Sequence, residues 1–387
     1  MKAVVTGAIA TFPVGGVAWD YGQYALGLEQ LGFDVWYLED TGVTPYDNAA
    51  RTYHDDPTYG IAYLRDALAA LSPTLADRWH LVDVNGGRHG CSHEELADVL
   101  EDAEVFLNVS GICQLRPEYA RCRRTIMIDT DPGWNHWVAL PRTEHRDPAT
   151  GILSWREHDE FATYATALGR PGCALPDLGL DWRRTLPPVV LDAWQAPGVL
   201  GERWTTVLTW DNYDGAFTHG GRSFGSKASE FARIEPLPEC TRARHEVAVG
   251  GVGAPVDAWR RAGWCVVDAP SVTATPGSYR RYVTHSRGEC SPAKQVYVAS
   301  GSGWFSCRTA CYLAAGRPAV VQDTGWSVAV PTGDGLHAFD DLDGAARAVA
   351  AVETDPRAAA EGARAVAAEV LDARRVLADL LDGRDVA

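Results

Sequence analysis

The stretch from Gln295 to Trp326, QVYVASGSGWFSCRTACYLAAGRPAVVQDTGW, restricts the possible folds more than any other part of the chain. Gln295 to Ser300 is β-branched and aromatic enough to predict a buried strand. It runs into the turn Gly301-Ser302-Gly303. A helix is expected next, because Phe305, Thr309, Tyr312 and Leu313 share one face at helical spacing. Gly316 fits the position after its last turn, with Pro318 as a stop. Ala319 to Gln322 predicts a second buried strand, ending in Asp323-Thr324-Gly325. In a strand–turn–helix–strand unit the helix start presents free backbone N–H groups and the positive end of a dipole. Glycines let an anion approach that backbone, and Arg308 stands one turn in, within reach of the same anion. The stretch therefore predicts a diphosphate cradle formed by Gly301, Ser302, Gly303, Ser306 and Arg308, with Thr309 and Thr324 at the same edge. A βα turn that binds nothing satisfies the same pattern.

The opening forty residues repeat this order. Lys2 to Gly7 predicts a strand, Gly15-Gly16 closes a loop, and Val17 to Leu31 places Tyr21, Ala25 and Leu28 on one helical face before Gly32. Phe33 to Leu38 predicts the next strand, ending in Glu39-Asp40. Two such units predict two nucleotide-binding-type domains, as does a length of 387 residues, since single cores stop growing near ~250–300 residues. Between and after them strands alternate with helical segments, the mark of parallel sheets. Ligands of such sheets sit at the carboxyl ends of the strands. There the strand Thr125 to Asp129 leads into the acidic, aromatic loop Asp129-Thr130-Asp131-Pro132-Gly133-Trp134-Asn135-His136-Trp137. The pattern dissolves into prolines and glycines between Gly169 and Gly201, where a domain crossover is expected. The expected division is 1–185, 186–355 and a helical tail, 356–387, crossing back towards the first domain. The alanine-rich region from Leu342 to Leu381 is expected to form two surface helices.

A net charge of −16 argues against nucleic acid or an anionic membrane as the main partner. No apolar run approaches the ~18 residues of a membrane span. Nine cysteines, odd in number and without a Cys-x-x-Cys pair, read as reduced thiols of a cytoplasmic protein. No His pair with metal-ligand spacing accompanies Cys307 and Cys311, so no metal is expected.

The helix leading into Ala314-Ala315-Gly316-Arg317-Pro318-Ala319-Val320-Val321, together with the two-domain order, resembles the donor-binding motif of GT-B glycosyltransferases. The Gly-Trp-Phe-Ser sequence at Gly303 to Ser306 is similar to that of uncharacterised bacterial members. The resemblance is carried by Ser286 to Leu336 and, more loosely, by Lys2 to Glu39. It implies two Rossmann-like domains facing across a cleft, with a nucleotide sugar in the cleft and its diphosphate on the C-terminal helix. The two glutamates of the family's Glu-x7-Glu pattern fall on Gly303 and Cys311 here. By the same resemblance Asp323 would hold sugar hydroxyls, and Arg287 and Lys294 would flank the diphosphate.

These readings together lead to transfer of a glycosyl group from a nucleoside-diphosphate sugar to a saccharide or small natural product, without cofactor or obligatory metal. The glycine turns Gly15-Gly16 and Gly301 to Gly303 should both face the donor. A general base is expected in the first domain, with Asp20, Asp131 and His136 as candidates, and Trp19, Trp134 and Trp137 suit stacking on an acceptor ring. Two other activities stay open: a nucleotide-sugar epimerase on the same fold, and an NAD-dependent oxidoreductase. For the latter, Gly301-Ser302-Gly303 with Asp323 about ~20 residues on approximates a dinucleotide fingerprint.

Overall fold

The computed structural model describes residues 1–210, 217–225 and 227–385. Two sheets organise them. The first has eight strands in the spatial order Trp182–Arg184, Glu160–Thr163, Thr125–Asp129, Ala103–Val109, Lys2–Thr6, Asp34–Glu39, Trp79–Val82 and Arg88–Gly90. All neighbours are parallel except the last pair. The second has six parallel strands in the order Cys265–Asp268, Arg244–Gly250, Arg203–Thr209, Gly288–Ser291, Ala319–Gln322 and Leu336–Phe339. In each sheet the chain starts in the middle, winds outward one way and then the other. The direction reverses beside Lys2–Thr6 in the first sheet and beside Arg203–Thr209 in the second, and a ligand of a doubly wound sheet is expected just outside those strand ends.

Most elements fall where periodicity and turn chemistry place them. The helix Gly15–Gln30 buries Tyr21, Ala25 and Leu28, and Thr125–Asp129 and Ala319–Gln322 have the expected bounds. The sequence also predicts a helix from Ser226 to Ile234; Ser226 lies outside the described residues, and Ala228–Ile234 is helical. Two corrections bear on function. Gln295–Ser300 is a helix, not a strand, closed by Gly301 in the left-handed conformation. The central strand is instead Gly288–Ser291, within a run that reads as a loop from sequence. The region from Leu342 to Leu381 holds three α-helices, Leu342–Thr354, Pro356–Val366 and Ala373–Leu381, rather than two on the surface. Ala373, Leu377 and Leu380 are buried in the core of the first sheet.

Both glycine turns lie where the two sheet units meet. A Cβ on Gly15 would fall on the Thr275 carbonyl and 2.9 Å from Tyr279 Cβ, both on the second unit. A Cβ on Gly303 (φ +76°) would sit 2.6 Å from the backbone nitrogen of Ala167 on the first. Trp19 donates its indole N–H to Pro276 O at 2.9 Å and packs on Trp194, so one buried cluster continues across the junction. Gly15→Ala should therefore cost about 1–3 kcal/mol in chemical denaturation through overpacking. Gly198→Ala, with nothing within 4 Å of its added carbon, should stay within about 0.5 kcal/mol of the native protein.

Candidate functional site

The site begins with a charged residue in a central strand. Glu289 is fully buried, and its Oε1 accepts from Arg308 Nε at 2.6 Å. Arg308 also donates through Nη1 to Val207 O at 2.5 Å and through Nη2 to Ser291 Oγ. One guanidinium thus ties together the strands Arg203–Thr209 and Gly288–Ser291 and the helix Cys307–Ala314 at the reversal of the second sheet. Burial alone would lower its pKa, but the charge and hydrogen bond of Glu289 outweigh that and raise it, so Arg308 is a permanent cation.

The helix Cys307–Ala314 starts at Ser306, whose Oγ accepts from Arg308 N at 3.2 Å. Beside this first turn lies a depression of about 260 Å³ lined by Ser291, Trp304, Ser306, Arg308, Thr309 and Gln322 among others. Thr309 is 1% exposed, and its hydroxyl has no hydrogen-bond partner among the described residues. Such a buried hydroxyl is costly unless something outside the described chain satisfies it. Lys227, immediately before the helix Ala228–Ile234, is half-buried. Burial, followed by the charges of Arg308 and Lys294, pushes its ammonium well below the ordinary lysine range, against the pull of Glu289. An anion entering here would relieve that crowding of cations.

The first domain faces this edge with Asp20, one turn into the helix Gly15–Gln30. Burial pushes its carboxyl up to about 6, partly offset by a hydrogen bond from Cys307 in the first turn of the opposite helix. Next to it Tyr21 donates to Ser110 Oγ at 3.3 Å, and Ser110 Oγ lies 2.7 Å from Thr130 Oγ1. Ser110 holds φ +65° where the first sheet reverses, a backbone state that a residue with a side chain rarely adopts. Asp131 accepts from Lys294 Nζ and from Tyr297 OH, each at 2.7 Å, so it joins the two units.

The predicted residues separate into three groups. Ser306, Arg308 and Thr309 line the depression, and Asp20, Asp131 and Lys294 lie at the junction around it. Gly301, Ser302 and Gly303 do not form a cradle at a helix start, because the helix begins four residues later than Gly303. They are spent on the junction: Ala167 N donates to Ser302 O at 3.1 Å, and Thr166 Oγ1 donates to Gly303 O at 2.7 Å. Gly15 and Gly16 likewise pack on Thr275 and Tyr279. Asp323 caps its own turn, accepting from Gly325 N and Ser327 Oγ, while Thr324 donates to Trp304 O at 2.8 Å.

The third group lies away from the site. Arg287 precedes the strand Gly288–Ser291, at the end opposite the site, and pairs with Glu353; four residues of strand put it roughly 13 Å from the carboxyl edge. His136 is buried, with Nε2 3.0 Å from Asp129 Oδ2 and Nδ1 2.6 Å from Pro176 O. Both ring nitrogens are engaged and the side chain is 0% exposed, so it does not face the depression. Trp19 and Trp137 are buried as well. Trp137 packs on Phe224 at 4.4 Å and Trp134 on Phe217 at 5.5 Å, both on the second unit, so these rings cement the junction. Sequence reasoning missed Glu289, Ser291, Gln322 and Lys227. The available signal was a glutamate and serine flanking Cys290 just before a proline, in a segment without strand-like alternation.

No protein-family profile and no curated protein matches the chain. Solved structures do. AviGT4, a glycosyltransferase involved in avilamycin A biosynthesis, superposes with a TM-score of 0.55 at 12% identity over 99% of this chain and 96% of its own. An alpha-glucosyltransferase in complex with UDP and a 13-mer DNA containing a HMU base gives 0.56 at 9% identity over 99% and 98%. Anabaena Alr3699/HepE in complex with UDP gives 0.52 at 10% identity over 99% and 100%. At such identities the likeness is one of fold, and it spans both sheets. The chain has the GT-B architecture of two Rossmann-like domains. Among the described residues no helix is long and apolar enough to cross a membrane.

Proposed function

We propose that the protein transfers a glycosyl group from a nucleoside-diphosphate sugar to an acceptor hydroxyl or amine of a saccharide or small natural product. In this reading residues 1–185 carry the acceptor, residues 186–355 bind the donor, and the tail 356–387 fastens the two. The observation that carries it is the depression at the reversal of the second sheet. There the Thr309 hydroxyl, unpartnered among the described residues, and the Ser306-capped helix start lie beside Arg308, with the amines of Lys227 and Lys294 near enough for their charges to oppose one another, in a chain of net charge −16. A diphosphate would meet the helix dipole and Lys227 there, and stabilisation of a leaving diphosphate by such preorganised charge does the work of a divalent ion. Asp20 is the base: with a pKa of about 6 it is mostly ionised at neutral pH and close to the range that favours proton abstraction.

Thermal unfolding in the presence of UDP, GDP, ADP and dTDP tests this reading. The matching nucleotide at about 100 times its dissociation constant should stabilise the protein by ~2.7 kcal/mol. Chelation of divalent ions should leave that shift and turnover unchanged. Lys227→Ala should weaken the nucleoside diphosphate by about 1.5–3 kcal/mol, the value of a charge-assisted hydrogen bond, while the free nucleoside binds as before. Stabilisation by no nucleotide, or equal losses for nucleoside and diphosphate, would refute the reading.

A further inference from the structure

A second cavity, unrelated to the anion-binding edge, lies in the first domain. It encloses about 300 Å³, including its open mouth, at the carboxyl ends of Asp34–Glu39 and Trp79–Val82. These strands are the next two out from Lys2–Thr6, so the cavity opens on the sheet edge that carries Ser110 and Thr130. Its floor and walls include Ala10, Val43, Pro45, Pro57, Leu81 and Val84. Two carboxylates, Glu39 and Asp83, line it, and both are already saturated. Asp83 accepts from Asn85 N at 2.8 Å and Gly87 N at 2.9 Å, and its Oδ2 lies 2.7 Å from His89 Nε2. Glu39 accepts from Ala10 N and Tyr37 OH through Oε2, and from Thr11 N and Thr11 Oγ1 through Oε1. Thr11 and Thr41 in turn share a hydrogen bond at 3.0 Å. Polar groups that satisfy one another leave an entering ligand little but apolar surface, so the lining selects for shape and hydrophobicity rather than for hydrogen bonds. The loop that carries Val43 and Pro45 continues into a short hairpin, Tyr46–Asp47 with Thr52–Tyr53. From that hairpin Arg51 reaches Asp268 of the second domain at 2.6 Å, through an exposed ion pair, so the cavity wall is connected to the domain junction.

From this cavity we infer that the acceptor carries a compact apolar group, an aromatic ring or a short branched alkyl chain, which seats between Val43, Pro45, Pro57, Leu81 and Val84. The inference rests on the acceptor-side reading of the first domain and narrows the acceptor from saccharides in general to glycosides or natural products with an apolar moiety. Burying a ring against such walls favours it over a methyl group, while the sugar or hydroxyl part of the same molecule faces the junction where Asp20 lies.

The test compares phenyl β-D-glucopyranoside with methyl β-D-glucopyranoside, titrated separately into the full-length chain by NMR. The phenyl compound should bind at least about ten-fold tighter, a difference of ~1.4 kcal/mol. Val43 is 42% exposed, so Val43→Trp fills the mouth of the cavity without disturbing the core and should melt with the native protein. In this variant the phenyl advantage should disappear, while UDP affinity stays within about two-fold. Val84→Trp, from another wall, makes the same test if the first variant fails to fold. Equal binding of the two glycosides by the native chain, no measurable binding of the phenyl compound, or an advantage that survives in the filled variant would each overturn the inference. Failure of UDP to bind the native chain, with the phenyl preference present and abolished by Val43→Trp, would refute glycosyl transfer and leave the cavity as an apolar binding site.

Discussion

Arg308→Ala is expected to destabilise the protein by about 3–5 kcal/mol, the usual consequence of removing one partner of a buried ion pair. The carboxylate left behind, Glu289, is 0% exposed, and its Oε2 has no partner among the described residues even in the native protein. Arg308 also bridges Val207 O and Ser291 Oγ, so its loss unties the reversal point of the second sheet. Adding Glu289→Gln removes the stranded charge and should recover a substantial part of the loss. Non-additivity of that size is expected only between groups in contact. The arginine is thus a strut of the depression first and a contributor to its potential second. In the double variant, which keeps Lys227 and the Ser306-capped helix, a nucleoside diphosphate should still bind better than its nucleoside. Urea unfolding of the single and double variants decides the matter. A single variant within about 1 kcal/mol of native, near the centre of the distribution for ordinary point mutations, would show that Glu289 does not depend on Arg308.

The fold was readable to the extent that periodicity and turn chemistry carry it. Tyr21, Ala25 and Leu28 mark the buried face of the first helix, and the β-branched runs at Thr125–Asp129 and Ala319–Gln322 are strands buried on both sides. The readings failed where tertiary context overrides local preference. Val296 and Tyr297 favour a strand, but Pro292 and Gly301 bracket only six helical residues, and Val296, Tyr297 and Ser300 bury one helical face against the first domain. Gly288–Ser291 was hidden for the opposite reason. Its glutamate argues against a central strand, and nothing local announces that an arginine nineteen residues later will neutralise it. The depression shows the same division. Arg308, Ser306 and Thr309 were legible as neighbours because a helix start is visible in sequence. The glycines before it were assigned to a ligand because sequence cannot distinguish room left for a phosphate from room left for another domain. Gly303 fits against Ala167, and Gly15 against Thr275; both contacts exist only once the two sheets have come together.

His136→Ala should lower stability by about 3–5 kcal/mol without a selective effect on turnover, because the side chain is fully buried on Asp129. Its pH signature separates it from a catalytic histidine. Both ring nitrogens face acceptors, Asp129 Oδ2 and Pro176 O, so the imidazole must carry two protons to satisfy them. Burial alone would depress its pKa, but the hydrogen bond to Asp129, its charge and the Pro176 carbonyl together raise it above the ordinary value. A group whose pKa is higher folded than unfolded contributes its full stability below the unfolded value, ~6.5 for histidine. That contribution is lost as pH rises through the folded value. Above it, the neutral ring turns a lone pair towards one of the two oxygens. The native protein should therefore lose stability on the alkaline side of about pH 6.5, in a step that His136→Asn abolishes because an amide does not titrate. Asp20 predicts the opposite assignment: turnover that rises with pH through about 6 as its carboxylate forms, and that Asp20→Asn removes in a protein of near-native stability. Urea midpoints and turnover recorded from pH 5 to 9 on both variants assign each group. If His136→Asn leaves the stability profile unchanged while abolishing turnover, the two roles are reversed.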